Sequence, residues 1–315
     1  TNLIVDTSPH SFIGGGEGND IGVTLAGDGN AYSAIVGGNN NNIYGGSTHS
    51  FIGGGTGSDI SGGATHSAIT GGDNNNIYEG SAYSFVGGGT ANNIYGAGAY
   101  SVIGGGTTNN IHTNALHSTI GGGTTNTVSA AESTIGGGSG NTVSAADSTI
   151  GGGRGNTVSA VDSTVGGGSG SLVDAGGGFV GGGVSNTVSG INASIGGGTT
   201  NTVSALNSAI AGGKLSQVKS NHSFVGGGEE NYIGEFSNHS VIVGGGGTGM
   251  GNSINKSFNF GTVPFSGVLG AQCDATSSWN SGIFAGINGH INAGGADNPG
   301  AYPLAYGPRT QNYIM

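Results

Sequence analysis

Charged residues make up only 7% of this 315-residue chain, with 5 Lys and Arg against 16 Asp and Glu. At a net charge of -11 there is no basic footprint for nucleic acid or for an anionic membrane surface, and neither is expected as a partner. A single cysteine, Cys273, excludes an intrachain disulfide framework. The longest apolar runs are a few residues, too short to cross a bilayer, so no membrane insertion is expected. The start carries no charged segment leading into an apolar one, as a secretion signal would. Leucine is scarce and nothing recurs with a helical period, which removes the material for a helical core.

What the chain has instead is 75 glycines and repetition. Glycine-rich sequence without a period argues disorder. Here, however, Ile or Val returns at fixed spacing, and β-branched residues at fixed spacing argue short strands. Residues 117–163 read H-STIGGG-TTNTVSAA-E-STIGGG-SGNTVSAA-D-STIGGG-RGNTVSAV-D-S, three near-identical copies of a 15-residue unit. With the serine of S-x-[IV] as position 0, the register reaches back through Ser101, Ser84, Ser67, Ser50 and Ser33 to Ser11. It runs forward to Ser208, Ser223 and Ser240, with Gly178 and Ala193 as substitutes, for fifteen units in all.

Position +2 is Ile or Val in every unit, and so is position +10, although the last of these, Ile254, needs a four-residue insertion. The stretch from +10 to the next serine is 7 residues in long units and 5 in short ones, so each unit has a fixed part and an adjustable loop. The expected fold is therefore all-β: a parallel β-solenoid, or β-roll, of 15 to 17 residue coils. It is expected to occupy residues 1–254, with long coils to about 117, short coils over 118–222 and final coils over 223–254. Asn2-Leu3-Ile4 and Asn312-Tyr313-Ile314 both match the N-x-[IV] half of a unit, so the chain is expected to begin and end in mid-coil.

Positions +4 and +5 are glycine in all fifteen units, among them Gly15-Gly16, Gly54-Gly55, Gly122-Gly123 and Gly137-Gly138. Position +3 is less strict, admitting Val36, Thr70, Ala211 and Val243. Two invariant glycines imply a positive φ, or an approach so close that no Cβ fits, and hence a corner or a contact between chains. Asparagine at +8, as in Asn126, Asn141 and Asn156, reads as a stacked structural ladder. Two buried β-branched side chains per coil are little to set against the entropy of ordering so much glycine. Position +1 alternates to the opposite face, yet is Phe, Ala, Val, Ser or Thr and never charged. Both faces of the first strand thus look buried, which predicts a homo-oligomer, and three ribbons about one axis make a homotrimer.

The S-T-I-G-G-G-x-x-N-T-V-S-A unit resembles the head repeats of YadA-like trimeric autotransporter adhesins, whose units begin S-V-A-I-G and form a trimeric parallel β-roll. It is closer in look to the S-T-I-G-G-G-x-x-N-T repeats of tail-fibre-like proteins of marine bacteriophages. The triple glycine, the Asn column and the 17-residue units depart from the adhesin pattern. The resemblance covers about residues 2–254 and implies a fibrous, trimeric, surface-attaching role on a virion or a cell surface.

One column stands out as a candidate binding surface. The residue before position 0 is His10, Tyr32, His49, His66, Tyr83, Tyr100 and His117 in the first seven units. An exposed strip of rings offers apolar area with a polar edge at low entropic cost, suited to a glycan or another flat group of a receptor. The competing reading is that the rings only pack and support the longer loops. Tyr44, Tyr78, Tyr95 and His112 form a flanking column. In the next units the same position holds Glu132, Asp147 and Asp162, a row of like charges that is either solvated or bridged by a cation such as calcium. No second acidic column faces it within a unit, so paired-carboxylate glycoside hydrolysis is not supported and no catalytic residue is assigned.

Residues 255–315 are expected to cap the solenoid or form its tip, with Ser266-Gly267-Val268 and Ser281-Gly282-Ile283 as degenerate coils. Trp279, Tyr302, Tyr306 and Arg309 are the contact candidates there. Together these features predict a non-enzymatic, extracellular or virion-borne fibre or adhesin that needs no cofactor and meets a glycan or protein receptor. An end-to-end filament subunit is the alternative, and a fibre-borne polysaccharide depolymerase ranks third.

Overall fold

Every element of the computed structural model is a strand, and each pairs in parallel with the strand one coil away. The structure describes residues 1–5, 7–22, 29–245 and 251–254, together with the backbone of residues 255, 266–269, 273–276, 282–284, 289–292 and 313–314. The chain is a parallel β-solenoid with no helix among these residues. It forms two compact units, Thr1–Asp162 and Ser163–Met315.

In the first unit each coil supplies two strands of two residues. Phe85, Val102, Thr119, Thr134 and Thr149 stack in one ladder, and Asn93, Asn110, Thr127, Thr142 and Thr157 in the other. Partners lie 17 residues apart up to Thr119 and 15 apart from Thr119 to Thr134, while the side chains stay in register. The adjustable loop therefore absorbs the change in length. Strand side chains alternate, so +2 and +10 point inward. Ile103, Ile120, Ile135 and Ile150 from the first ladder meet Ile111, Val128, Val143 and Val158 from the second, all at 0% exposure. The second unit repeats the plan, with Val180, Ile195 and Ile210 facing Val188, Val203 and Val218.

A third ladder has no apolar signal in the sequence. Single residues at +6 form parallel bridges, Thr90 to Thr107 to Thr124 to Ser139 to Arg154 in the first unit and Ser169 to Val184 to Thr199 to Lys214 to Glu229 in the second. The next residue, +7, turns the chain in the left-handed region even where it is not glycine, as at Asn74 (φ 58°), Thr108 (φ 56°) and Thr125 (φ 56°). Its N–H reaches back to the +6 carbonyl of the preceding coil, as from Thr125 to Thr107 at 2.9 Å.

The two invariant glycines have different reasons. Position +5 carries a positive φ, 87° at Gly16, 97° at Gly55 and 92° at Gly123 and Gly138. A Cβ there would overlap the backbone carbonyl of the same glycine in the next coil, Gly138 in the case of Gly123. Position +4 does not fit the expectation of crowding. Nothing lies within 4 Å of a Cβ built on Gly15, and at Gly54, Gly122 and Gly137 the nearest atom is a carbonyl oxygen at 3.8 to 3.9 Å. The positive-φ expectation is met in part instead, with 146° at Gly54 and Gly105 and 116° at Gly88, while Gly122 and Gly137 at 157° and 159° come closer to extended backbone.

Between these corners the Asn column is fully buried and bonded. The Asn126 amide donates to the Gly122 carbonyl in its own coil at 2.9 Å and to the Gly138 carbonyl of the next at 3.0 Å. Its oxygen accepts the Asn141 backbone N–H at 3.0 Å, while Asn126 N–H donates to the Asn109 oxygen at 3.0 Å. The amides thus tie backbone to backbone, and in some coils they also bond amide to amide as the sequence suggested, Asn41 to Asn19 and Asn92 to Asn75 at 3.2 Å. Buried serines do the same at position 0: the Ser101 hydroxyl accepts Ser118 N–H at 3.1 Å and donates to the Ala115 carbonyl at 2.9 Å.

Past Ile254, which pairs with Ile233 as the insertion requires, the pairing continues. Ser266, Gly267 and Val268 lie beside Ser240, Val241 and Ile242, and Gly267 and Val268 beside Gly282 and Ile283, so both degenerate coils keep the register. Leu3-Ile4 pairs with Asp20-Ile21 in the second ladder, as its N-x-I pattern predicts. Tyr313-Ile314 does not: it lies beside Gly282-Ile283 in the first ladder. Three residues of pattern cannot distinguish two strands that both end in a β-branched residue.

Replacing Asn126 with Ala strands the Asn141 N–H and the Gly122 carbonyl inside the coil, while the Gly138 carbonyl keeps the Thr124 N–H at 2.8 Å, and at about 1 to 3 kcal/mol per orphaned group should lower stability by about 3 kcal/mol. Ser58 shows a milder option, because its hydroxyl accepts the Asn75 N–H at 3.3 Å. Asn126→Ser should therefore cost less than half as much as Asn126→Ala in a denaturant titration.

Candidate functional site

The ring column is held by the second left-handed corner of each coil. His10, Tyr32, His49, His66, Tyr83, Tyr100 and His117 have φ between 53° and 60°. This conformation is costly for a side-chain-bearing residue, and it is held by a backbone bond to the neighbouring coil. His49 N–H donates to Ala31 at 3.0 Å, Tyr83 to Thr65 at 2.8 Å and Tyr100 to Ala82 at 2.9 Å. The corner fixes Cα–Cβ in the same direction each time, and the rings fall into line.

The result is one continuous stack. Ring centroids are 4.9 Å apart from His10 to Tyr32 and from Tyr32 to His49, and 4.7 Å apart from His49 to His66 and from His66 to Tyr83. They are 5.0 Å apart from Tyr83 to Tyr100 and 5.1 Å from Tyr100 to His117, with planes within 21° of parallel throughout. Tyr32, Tyr83 and Tyr100 remain 57%, 50% and 53% exposed. Each inner ring has a neighbour on both faces, so the stack presents its edges to solvent. Phenol hydroxyls and imidazole nitrogens therefore recur once per coil along one line. Both expectations for this column are met in part: the rings pack, but on one another, and what stays exposed is a polar edge.

Neither a protein-family model nor a curated protein matches the chain. Its chemistry is accordingly read from its own side chains.

Glu132, Asp147 and Asp162 occupy the same corner with φ 56°, 56° and 57°. Among the described residues no three His, Cys, Asp or Glu side chains come together in a group able to hold a metal ion. In the second unit the corner is taken by Gly177, Asn192, Asn207, His222 and His239, and the last two rings stack at 5.0 Å. Trp279, Tyr302, Tyr306 and Arg309 lie outside the described residues.

The flanking column is a second, shorter stack, with Tyr78 and Tyr95 at 5.6 Å and Tyr95 and His112 at 5.5 Å. It stands beside a polar row at +9, which is Thr, Asn or Asp in most coils. There the Asn42 amide donates to the Asp59 carboxylate at 2.8 Å, the Asn76 amide to Asn93 at 2.9 Å, and the Asn93 amide to Asn110 at 3.2 Å. Burial pushes the Asp59 carboxyl above its ordinary value, with the Asn42 bond opposing. Burial, then the charge of Asp59 and the neighbouring Tyr95 and Tyr44, raises the Tyr78 phenol.

A carboxyl with a raised folded-state pKa favours folding below its unfolded value, near 3.8, and that benefit is lost as pH rises through the folded value. Asp59→Asn should therefore raise the melting temperature at pH 7 and leave it nearly unchanged at pH 3. Solvent screening of a half-buried group keeps the gain below about 1 kcal/mol.

Proposed function

We propose that the chain is a non-enzymatic fibre or adhesin, built with other copies of itself as a homotrimer and carried on a virion or a cell surface. Its task on this reading is to hold a regular row of recognition groups rigid and outward for a glycan or protein on the surface to which it attaches. The observation that carries the reading is the ring stack, seven rings from His10 to His117 at 4.7 to 5.1 Å, mounted on fixed corners with their polar edges exposed. Such a row costs little entropy to present, because each ring is already held by its neighbours. A ligand with a repeat along its own length, as a polysaccharide has, would meet several donors and acceptors at once, each weak alone. Attachment fits this better than turnover, which needs unlike groups converging on one point.

Binding of the labelled chain to an array of surface polysaccharides and glycoproteins tests the proposal. The chain should bind a subset, and the double variant His66→Ala, Tyr83→Ala, with unchanged far-UV circular dichroism, should lose at least about tenfold in affinity. A chain that binds nothing on the array, or a variant that binds as the parent does, would remove the attachment role.

A further inference from the structure

The outer face of the first ladder, positions +1, +3 and +4, has a pattern that the fold of one chain does not require. Across fifteen units no residue from position 0 to +5 is charged. All the other sides carry charge: Glu17, Asp73 and Arg154 at +6, Asp20 and Asp59 at +9, Asp174 and Lys219 at +11, Glu132 and Asp147 at the ring corner. The face is also uncovered, with Phe51 39%, Phe85 37% and Val36 50% exposed.

Its relief is evened out at the Phe and Ala coils. Where +1 is Phe, +3 is Gly, and the ring folds over that glycine. The Cε1 atoms of Phe51 and Phe85 stand 3.4 Å from the positions a Cβ would take on Gly53 and Gly87. Where +1 shrinks to Ala, +3 grows: Ala34 is followed by Val36 and Ala68 by Thr70. The second unit keeps the same rule, with Phe179 over Gly181 at 3.5 Å and Ala209 followed by Ala211. Three of the four departures from glycine at +3 are thereby accounted for, Val243 beside Val241 being the fourth.

Position +4 sharpens the point. It is glycine fifteen times out of fifteen: at Gly54, Gly88 and Gly105 a φ of 146°, 116° and 146° itself favours glycine, whereas at Gly15, Gly37, Gly167, Gly182, Gly197 and Gly212 the protomer leaves open space around a Cβ and the φ is not left-handed. At those six coils an added side chain would project from the face into the space outside the chain.

We propose that this face is a dry contact on which a second copy of the chain packs, turned toward the axis that the copies of the homotrimer share. A second copy is the occupant for two reasons. Its coils repeat at the same rise, so level meets level along the whole contact. Copies that each carry a charge of -11 can approach closely only where neither bears charge. Packed sheets lie about 10 Å apart, and a side chain at +4 would hold the backbones away from each other. The inference rests on the reading of the chain as a fibre built from its own copies, and it assigns the face that joins them.

Sedimentation of the full chain over a concentration series tests it, with three variants. Phe85→Glu buries a charge in the contact and should weaken association by more than about a hundredfold with circular dichroism unchanged. Gly37→Leu, for which the single chain has room, should weaken it as well. Ser144→Glu, on the outer face of the second ladder, should sediment as the parent chain does. A parent chain that stays a single chain at every concentration overturns the proposal, and so does a Phe85→Glu chain that associates like the parent. Adhesion of a single chain to a flat mineral or polysaccharide surface through this face would likewise overturn it. The attachment role fails separately, because array binding through the ring strip can be scored on the Phe85→Glu chain.

Discussion

Every coil must lay its backbone on the coil beneath it, position on position, and the rest of the structure follows from that requirement. A residue in a solenoid has for its nearest neighbour the residue at the same position one coil away, so each column of the sequence becomes a physical object. A column of Ile and Val becomes a dry core, as from Ile103 to Ile150, and a column of Asn becomes a chain of backbone ties, as from Asn109 through Asn126 to Asn141. A column of His and Tyr becomes a ring stack. Parallel strands two residues long would be too short to hold by themselves. They hold because the corners are locked as well, by the left-handed residues at +7 and before position 0 and by the glycine at +5, which a carbonyl of the next coil approaches too closely for any Cβ.

The same requirement explains what could be read from the sequence. Ile120 and Val128 announced two inward strands because burial selects β-branched residues, and both are at 0% exposure. Asn126 announced a ladder because only an amide both donates to two carbonyls and accepts a neighbour's N–H at such a corner. The third ladder gave no sign. Its residues, Thr107, Thr124, Ser139 and Arg154, take part through backbone alone, so their side chains are free to vary. The left-handed corners under Thr125 and Tyr83 were hidden for a related reason: the strain there is offset by a coil-to-coil hydrogen bond rather than by the residue type. Tyr313-Ile314 fell in the other ladder from the one its pattern suggested, since a single β-branched residue marks an inward position without saying on which wall.

The ring column was legible as a column but not as a geometry. Seven His and Tyr at one position said that rings recur, whereas whether they offer faces or edges depends on the corner that carries them. Because the corner sets Cα–Cβ in one direction and the coils rise by about 4.8 Å, the rings have no room to lie flat on the surface and must stack. Their apolar faces are consumed in holding the long loops together, and the recognition chemistry left over is polar and periodic. The stack is therefore at once part of what stabilises the long coils and the surface they present.

Positions +4 and +5 show where reading an invariant residue has to stop and geometry has to begin. Both are glycine in every unit, and sequence alone gives them one explanation. In the structure Gly123 is needed by its own chain, while a Cβ on its neighbour Gly122 would come no nearer than 3.8 Å to anything. Where +1 is Ala, as at Ala34 and Ala68, a larger +3 residue fills in beside it. A chain this poor in core per coil keeps one of its few apolar surfaces flat, uncharged and open, and that combination is stable in water only if the surface is not left to water.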